Sequence, residues 1–322
     1  MDPARLLSHK LRNRLQSGLL MGLLALLLVY LAWVIGGGPL AWFALGVVAV
    51  LSLANPAASP RLAMALYRAR PLAYEEAPGL YAMVGELARR AGLPRVPVLY
   101  YLPTRVMNAF TTGVGADAAI AVSDGMLRGL GLRELTGVLA HEVSHIANGD
   151  TRVMGFADLV SRITGTLSLM GQLLFLVSLP LWVLTDTPVP WIPILVLVFA
   201  PTLSALVQLA LSRSREYEAD RSAAELSGDP HGLASALLKL ERDQGGLWER
   251  LMMPGPRIPE PSLLRTHPPI EERVRRLQEL AAEESLEPVL RAFGGPASDD
   301  LLAFLGGRRL GAPRRHLSGL WY

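Results

Sequence analysis

His141-Glu142-Val143-Ser144-His145, within the stretch Arg133–Asp150 (RELTGVLAHEVSHIANGD), is the segment from which the rest of the chain is read. Leu132, Leu135, Val138 and Leu139 precede it at the spacing of one helical face, so a helix over Arg133–Asp150 is expected. On a helix, positions i and i+4 lie one turn apart on the same side, and both imidazoles can grip a single ion. Glu142 projects beside them. A metal lowers the pKa of water towards neutrality, and a carboxylate at that place can take the proton released. Two solvated or core histidines on a helix remain the alternative on the motif alone.

The chain has no Cys, so any metal must be held by His, Asp or Glu. A catalytic zinc needs a third protein ligand and an open fourth position. Arg215-Glu216-Tyr217-Glu218-Ala219-Asp220 offers a second i, i+4 pair in Glu216 and Asp220. Glu216 could ligate while Asp220, one turn on, accepts the remaining N–H of a ligating His. Glu218 points to a different face and is the weaker candidate. A solvated acidic face is the other reading of these residues.

Composition argues against a purely soluble protein. Apolar residues make up 51% of the 322 and charged residues 18%, where about a quarter charged is usual for a soluble domain. Four uncharged runs hold the surplus: Ser17–Ile35, Leu40–Ala54, Ile163–Leu184 and Trp191–Leu211. Gly36, Gly37, Gly38 and Pro39 separate the first two, and a short polar turn separates the last two. Two helical hairpins, hence four spans, are expected. Arg5, Lys10, Arg12 and Arg14 precede the first run; Arg61, Arg68 and Arg70 follow the second; Arg213 and Arg215 follow the fourth. The hairpin turns carry no Lys or Arg, so both termini and the chemistry between the hairpins are expected on the cytoplasmic side. The net charge is only +3, and no basic stripe interleaved with aromatics suggests nucleic-acid binding.

Domain boundaries follow from these runs. A transmembrane hairpin is expected over residues 1–57 and the first part of a catalytic domain, with the histidine helix, over 58–154. A second hairpin then occupies 155–212, the remainder of the catalytic domain 213–285, and a tail of unknown role 286–322. Within the soluble parts, Pro78–Ala91, Arg215–Ser227, His231–Asp243 and Ile270–Glu284 read as helices. Val98–Leu102 and Ala118–Ser123 read as strands, and Met252–Pro261 as a loop.

HEVSH, then two apolar runs, then SREYEAD (Ser214–Asp220) resembles the HtpX-type membrane metalloproteases, which share a peptidase family with the CAAX-prenyl endopeptidases. The likeness extends through EEAPGLYAMVGELARRAGLP, NAFTTG at Asn108–Gly113, AAIAVSDGML and THPPIEERVRRL at Thr266–Leu277, covering roughly Leu19 to Leu280. It implies a mainly α fold with a small β-sheet, a gluzincin-like metalloprotease domain combined with the four transmembrane helices. It implies one zinc ion held by His141, His145 and Glu216, with Glu142 as general base and Asp220 supporting a ligating imidazole. The implied activity is endoproteolysis of membrane or misfolded proteins, in quality control at a bacterial inner membrane, with the lipid bilayer and protein substrates as partners.

Two further sites follow from the likeness. Asn108, Ala109 and Phe110 could line a substrate cleft where a sheet edge pairs with the substrate backbone, or form a structural turn. His267 could donate to the oxyanion of the tetrahedral intermediate, or cap the helix that follows. Arg273 could support the same pocket, or pair with Glu271 or Glu272. The segment Leu286–Tyr322 has no counterpart in the family pattern. Prenyl-protein processing is the alternative enzyme reading, although CAAX endopeptidases have more spans than four. A scaffold with structural zinc is the alternative outside enzymes, and a complete HExxH with a usable base argues against it.

Overall fold

The computed structural model describes residues 3–53, 60–185, 188–251, 268–283 and 288–290. His267, the expected loop Met252–Pro261 and all of the tail 286–322 except 288–290 lie outside them. The chain forms two units, one from 1–57 with 152–215 and the other from 58–151 with 216–322.

In the first unit, α1 (Pro3–Leu53) contains a break at Gly36 (φ −134°, ψ 16°) and Gly37 (φ 65°, ψ −156°). A residue with a Cβ is strained at the Gly37 angles, whereas glycine adopts them freely. Pro39 follows within two residues, where a new helical segment tolerates a missing N–H. Among the described residues three helices are long and apolar enough to cross a membrane: Leu15–Ser52, Asp150–Thr185 and Trp191–Ser227. The expected first pair of spans falls within the first of these, Leu15–Ser52, whose helix is broken at Gly36–Gly37.

Leu24, Leu28, Val48, Phe156, Val160 and Leu211 make one buried cluster of this unit, and Leu27, Leu31, Leu197 and Ala200 a second. Ser161 bonds both Ser204 and Gln208, each at 2.9 Å. Such bonds join helices where lipid offers no competing water. Leu169, Leu173, Leu176 and Val183 point outward and are exposed. An apolar exterior of this extent suits hydrocarbon and not water.

The second unit runs α2 (Pro60–Leu66), β1 (Arg70–Pro71), α3 (Pro78–Arg90), β2 (Val98–Leu102), β3 (Ala109–Thr112), β4 (Ala119–Ser123), α4 (Asp124–Gly129) and α5 (Leu132–Asn148). α6 (Asp150–Thr185) and α7 (Trp191–Ser227) lead out of it and back, and α8 (Pro230–Leu251) and α9 (Ile270–Glu283) follow. The sheet order is β1-β2-β4-β3, with β2 and β4 parallel and both outer strands antiparallel to their neighbours. Strand residues alternate between faces. Leu99, Ile120 and Val122 join the core beneath α3 and α5, whereas Leu102, Phe110, Ala119 and Ala121 pack with Met64 of α2 on the other side. β4 is thus covered on both faces, which is why AIAVS contains no strongly polar residue before Ser123.

α5 is the frame of this unit. Leu135, Leu139 and Val143 are fully buried, and the helix ends at Gly149 in the left-handed region (φ 70°), where glycine carries no Cβ penalty. Glu134 ties α5 to α8 by accepting from Ser235 Oγ and Lys239 Nζ, each at 2.6 Å. One turn on, a Cβ on Gly137 would lie 2.8 Å from the Leu233 backbone. Gly137→Ala therefore sets a gain of about 1 kcal/mol in helix propensity against an overpacking cost of about 1–3 kcal/mol. Because the obstacle is backbone and cannot rotate away, the clash should win, and the variant should unfold at a lower temperature in a thermal melt.

Candidate metal centre and cavity

Helix geometry places His141 and His145 side by side on the buried side of α5, with ring centroids 4.6 Å apart. α7 brings Glu216 to them. His141 Nε2 lies 3.1 Å from His145 Nε2 and 3.5 Å from Glu216 Oε2, and Glu216 Oε1 lies 3.7 Å from His145 Nε2. Among the described residues these three form the group able to hold a metal. Ligands about 2.0–2.2 Å from a tetrahedral ion lie about 3.3–3.6 Å from one another, so the observed spacings fit one ion.

Both outer ring nitrogens face carboxylates. His145 Nδ1–H donates to Asp150 Oδ2 at 2.8 Å, and His141 Nδ1 lies 3.1 Å from Asp220 Oδ1. Carboxylates only accept, so each Nδ1 carries the proton and each Nε2 turns a lone pair inward. Two facing lone pairs beside a carboxylate are favourable only around a cation. Burial opposes charge on His141, yet Asp220 and Glu216 outweigh it and push its pKa up to about 10. Burial and His141 oppose charge on His145, and Asp150 and Glu216 still raise its pKa.

Asp220 is itself clamped by Arg273 of α9, whose Nε and Nη2 donate to its two oxygens at 2.7 and 2.6 Å. Burial would raise the Asp220 pKa, but Arg273 and His141 together hold it below the usual carboxylate value. Arg273 Nη1 also lies 3.3 Å from Glu216 Oε2. The local pairing of Arg273 with Glu271 or Glu272 is not what the structure has. Glu272 bonds Arg275 and Arg276 instead. Glu218 is buried outside the ligand group.

Glu142 is 4% exposed and is held by Thr111 of β3, whose Oγ1 donates to Glu142 Oε2 at 2.7 Å. His141, Glu142 and Arg273 line one wall of a cavity of about 300 Å³. Val138, Leu233, Leu237 and Ile270 give it an apolar interior, and Asn108 and Ala109 lie at its side. Phe110 is on the opposite face of the sheet, its ring 4.9 Å from that of Tyr67. Ser123 N–H donates to Asn108 O at 2.9 Å. With Ala109 opposite Val122, the antiparallel alternation turns the backbone N–H and C=O of Ala109 and Thr111 away from β4. β3 is the outer strand, so these groups face an open edge.

Sequence reasoning missed Asp150, Thr111 and the partners of Arg273. Asp150 follows the left-handed turn at Gly149 and starts α6, so the periodicity of α5 expected through Asp150 stops at Asn148 and does not place it beside His145. Arg273 had a usable signal: it shares a stripe with Ile270, Val274 and Leu277, the apolar face of α9, and a cation there must be buried and paired.

A caged His/His/Glu group next to a further glutamate, in a chain with membrane-length helices, defines the class of a membrane-associated metalloprotease. Residues 75–281 match the model of peptidase family M48. A protease HtpX homolog of Pyrococcus abyssi is 37% identical over 288 residues, covering 84% of this chain and 96% of that protein. One from Persephonella marina is 40% identical over 239 residues, 69% and 82% of the two chains. A third, from Acaryochloris marina, is 36% identical over 86% of this chain and 97% of its own. The chain belongs to peptidase family M48, as an integral membrane metalloprotease of the HtpX type.

Asp150 carries a prediction. Asp150→Asn keeps the shape but weakens the hold on His145, and metal affinity measured by chelator competition should fall about 10–100-fold.

Proposed function

We propose that the chain is a zinc-dependent endopeptidase that cleaves membrane or misfolded proteins on the cytoplasmic side of a bacterial inner membrane, in protein quality control. The observation that carries this reading is Glu142, held by Thr111 at the wall of an apolar cavity and adjacent to the His141–His145–Glu216 cage. Zinc suits two imidazoles and a carboxylate in tetrahedral spacing. When bound, it supplies a Lewis acid that polarises a peptide carbonyl and acidifies water.

The chain's own residues do the rest. His141, His145 and Glu216 are the ligands, with Asp220 and Asp150 fixing the imidazole tautomers. Glu142 accepts the proton of the attacking water and delivers it to the leaving amine. Thr111 keeps that carboxylate from rotating. Ala109 and Thr111 offer backbone groups at an open strand edge, which pairs with any extended chain and asks little of its sequence. A folded protein presents few free extended segments and an unfolded one presents many, which favours misfolded substrates. The cavity accepts an apolar side chain beside the scissile bond. His267 lies outside the described residues and stays a candidate oxyanion donor.

The glycine break in α1 supports two spans there, giving four in two hairpins, and the Arg and Lys placement supports cytoplasmic termini. A prenyl-protein processing activity is separable by comparing a farnesylated peptide with its unmodified form. Cleavage of the lipidated peptide alone would remove the quality-control reading.

Glu142→Gln should abolish casein cleavage while zinc remains bound at one equivalent, read by metal analysis of the purified protein. Retained cleavage would sink the general-base assignment. Loss of zinc would instead put Glu142 among the ligands.

A further inference from the structure

Arg273 is buried to 4% exposure in α9, which supplies none of the three candidate ligands. Long-range partners account for a guanidinium at that depth. Its fork donates to both oxygens of Asp220, and its third nitrogen lies 3.3 Å from Glu216 Oε2. Asp220 in turn lies 3.1 Å from His141 Nδ1. One side chain thus touches the proposed third ligand directly and a proposed imidazole ligand through one intermediary.

We propose that Arg273 is a positioning residue that sets metal affinity: it fixes the Glu216 carboxylate towards the cage and locks Asp220 against His141. The proposal rests on the metal-site reading above. α9 is then part of the metal centre without ligating, and the reason for arginine is geometric. A planar fork meets a carboxylate with two parallel bonds and has a nitrogen to spare for a second acid, whereas an ammonium is a point charge on a flexible stem.

Two opposing effects give the proposal a sign. A fixed positive charge near a cation site repels the incoming ion, so charge alone would make removal of Arg273 tighten zinc binding. Freed carboxylates, however, no longer hold the ligands in place, and removal would then weaken it. Losing a group that orients a ligand typically costs about 10–100-fold in affinity, and the bidentate geometry at 2.6–2.7 Å argues that this effect dominates.

The test uses full-length protein purified in detergent, stripped of metal and titrated with zinc against a chromophoric chelator. Arg273→Lys keeps the charge and loses the fork; Arg273→Gln loses both. Arg276→Met is the control, because Arg276 sits on the same helix, 3.8 Å over the Tyr217 ring, and bonds Glu272 and not the cage. The expected result is a zinc affinity about 10-fold lower for Arg273→Lys and about 10–100-fold lower for Arg273→Gln, with Arg276→Met at the wild-type value. Should Arg273→Gln not fold, Arg273→Lys carries the test. Unchanged affinity in Arg273→Lys overturns the proposal, as does tighter binding in Arg273→Gln. An equal loss in Arg276→Met also overturns it, since docking of α9 alone would then explain the effect. A wild-type protein that binds no zinc fails at the metal-site reading instead, so the two failures are distinguishable.

Discussion

Four acidic side chains converge on two imidazoles in the interior of the catalytic unit, and this concentration of like charge is the constraint that its architecture answers. Glu142, Asp150, Glu216 and Asp220 are each 5% exposed or less. At an effective dielectric of about 20, two like charges about 4 Å apart repel by about 4 kcal/mol, a large share of the stability of a domain. Arg273 pairs with both Glu216 and Asp220, and a single guanidinium balances only part of that charge. The surrounding carboxylates raise the His141 pKa, and the same negative charge suits the site to a divalent ion. An ion held only by the assembled cage would stabilise the folded protein.

The rest of the catalytic unit can be understood as keeping those charges apart from water and fixed in direction. α5 supplies two imidazoles and Glu142 from within five consecutive residues, 141–145. Its burial on nearly all sides leaves them no freedom to swing out. The tie from Glu134 to Ser235 and Lys239, and the close passage of Gly137 by Leu233, clamp α5 to α8 on one flank. β3 closes the other flank through Thr111, and α9 closes the third through Arg273. Each clamp comes from a separate stretch of chain, so the site exists only when the whole unit is folded.

What the sequence revealed depended on whether a feature was local. The α5 helix, its paired imidazoles and the Glu216/Asp220 spacing were legible because helical periodicity alone fixes them; that Glu216 meets the imidazoles was a resemblance, and the structure brings the three together. β1 and β3 were not legible as strands, since two and four residues are too short for an alternating pattern to stand out. Ala109 and Phe110 go to opposite faces for the same alternation, which is why a cleft assignment across Asn108, Ala109 and Phe110 keeps the first two at the cavity and sends the Phe110 ring elsewhere. Arg273 was read either as supporting the pocket or as pairing with its neighbours in sequence, and its place in an apolar stripe favours the first, since the structure has it lining the cavity. The break at Gly36–Gly37 was visible as a run of helix breakers. The structure has the break at those residues, between two helical segments.

The proposed active site joins selectivity of two unequal kinds, and the contrast bears on what such an enzyme does. Backbone groups at the free edge of β3 recognise extended conformation and are indifferent to side chains. The apolar cavity beside His141 and Glu142 would take one side chain, and a difference of a methylene in such a pocket changes binding by only about 1–3 kcal/mol. The first requirement therefore dominates: a polypeptide must be locally unfolded before its sequence matters. Discrimination by conformation, with a mild preference for apolar residues, selects chains whose cores have come apart, because unfolding exposes extended backbone and apolar side chains together.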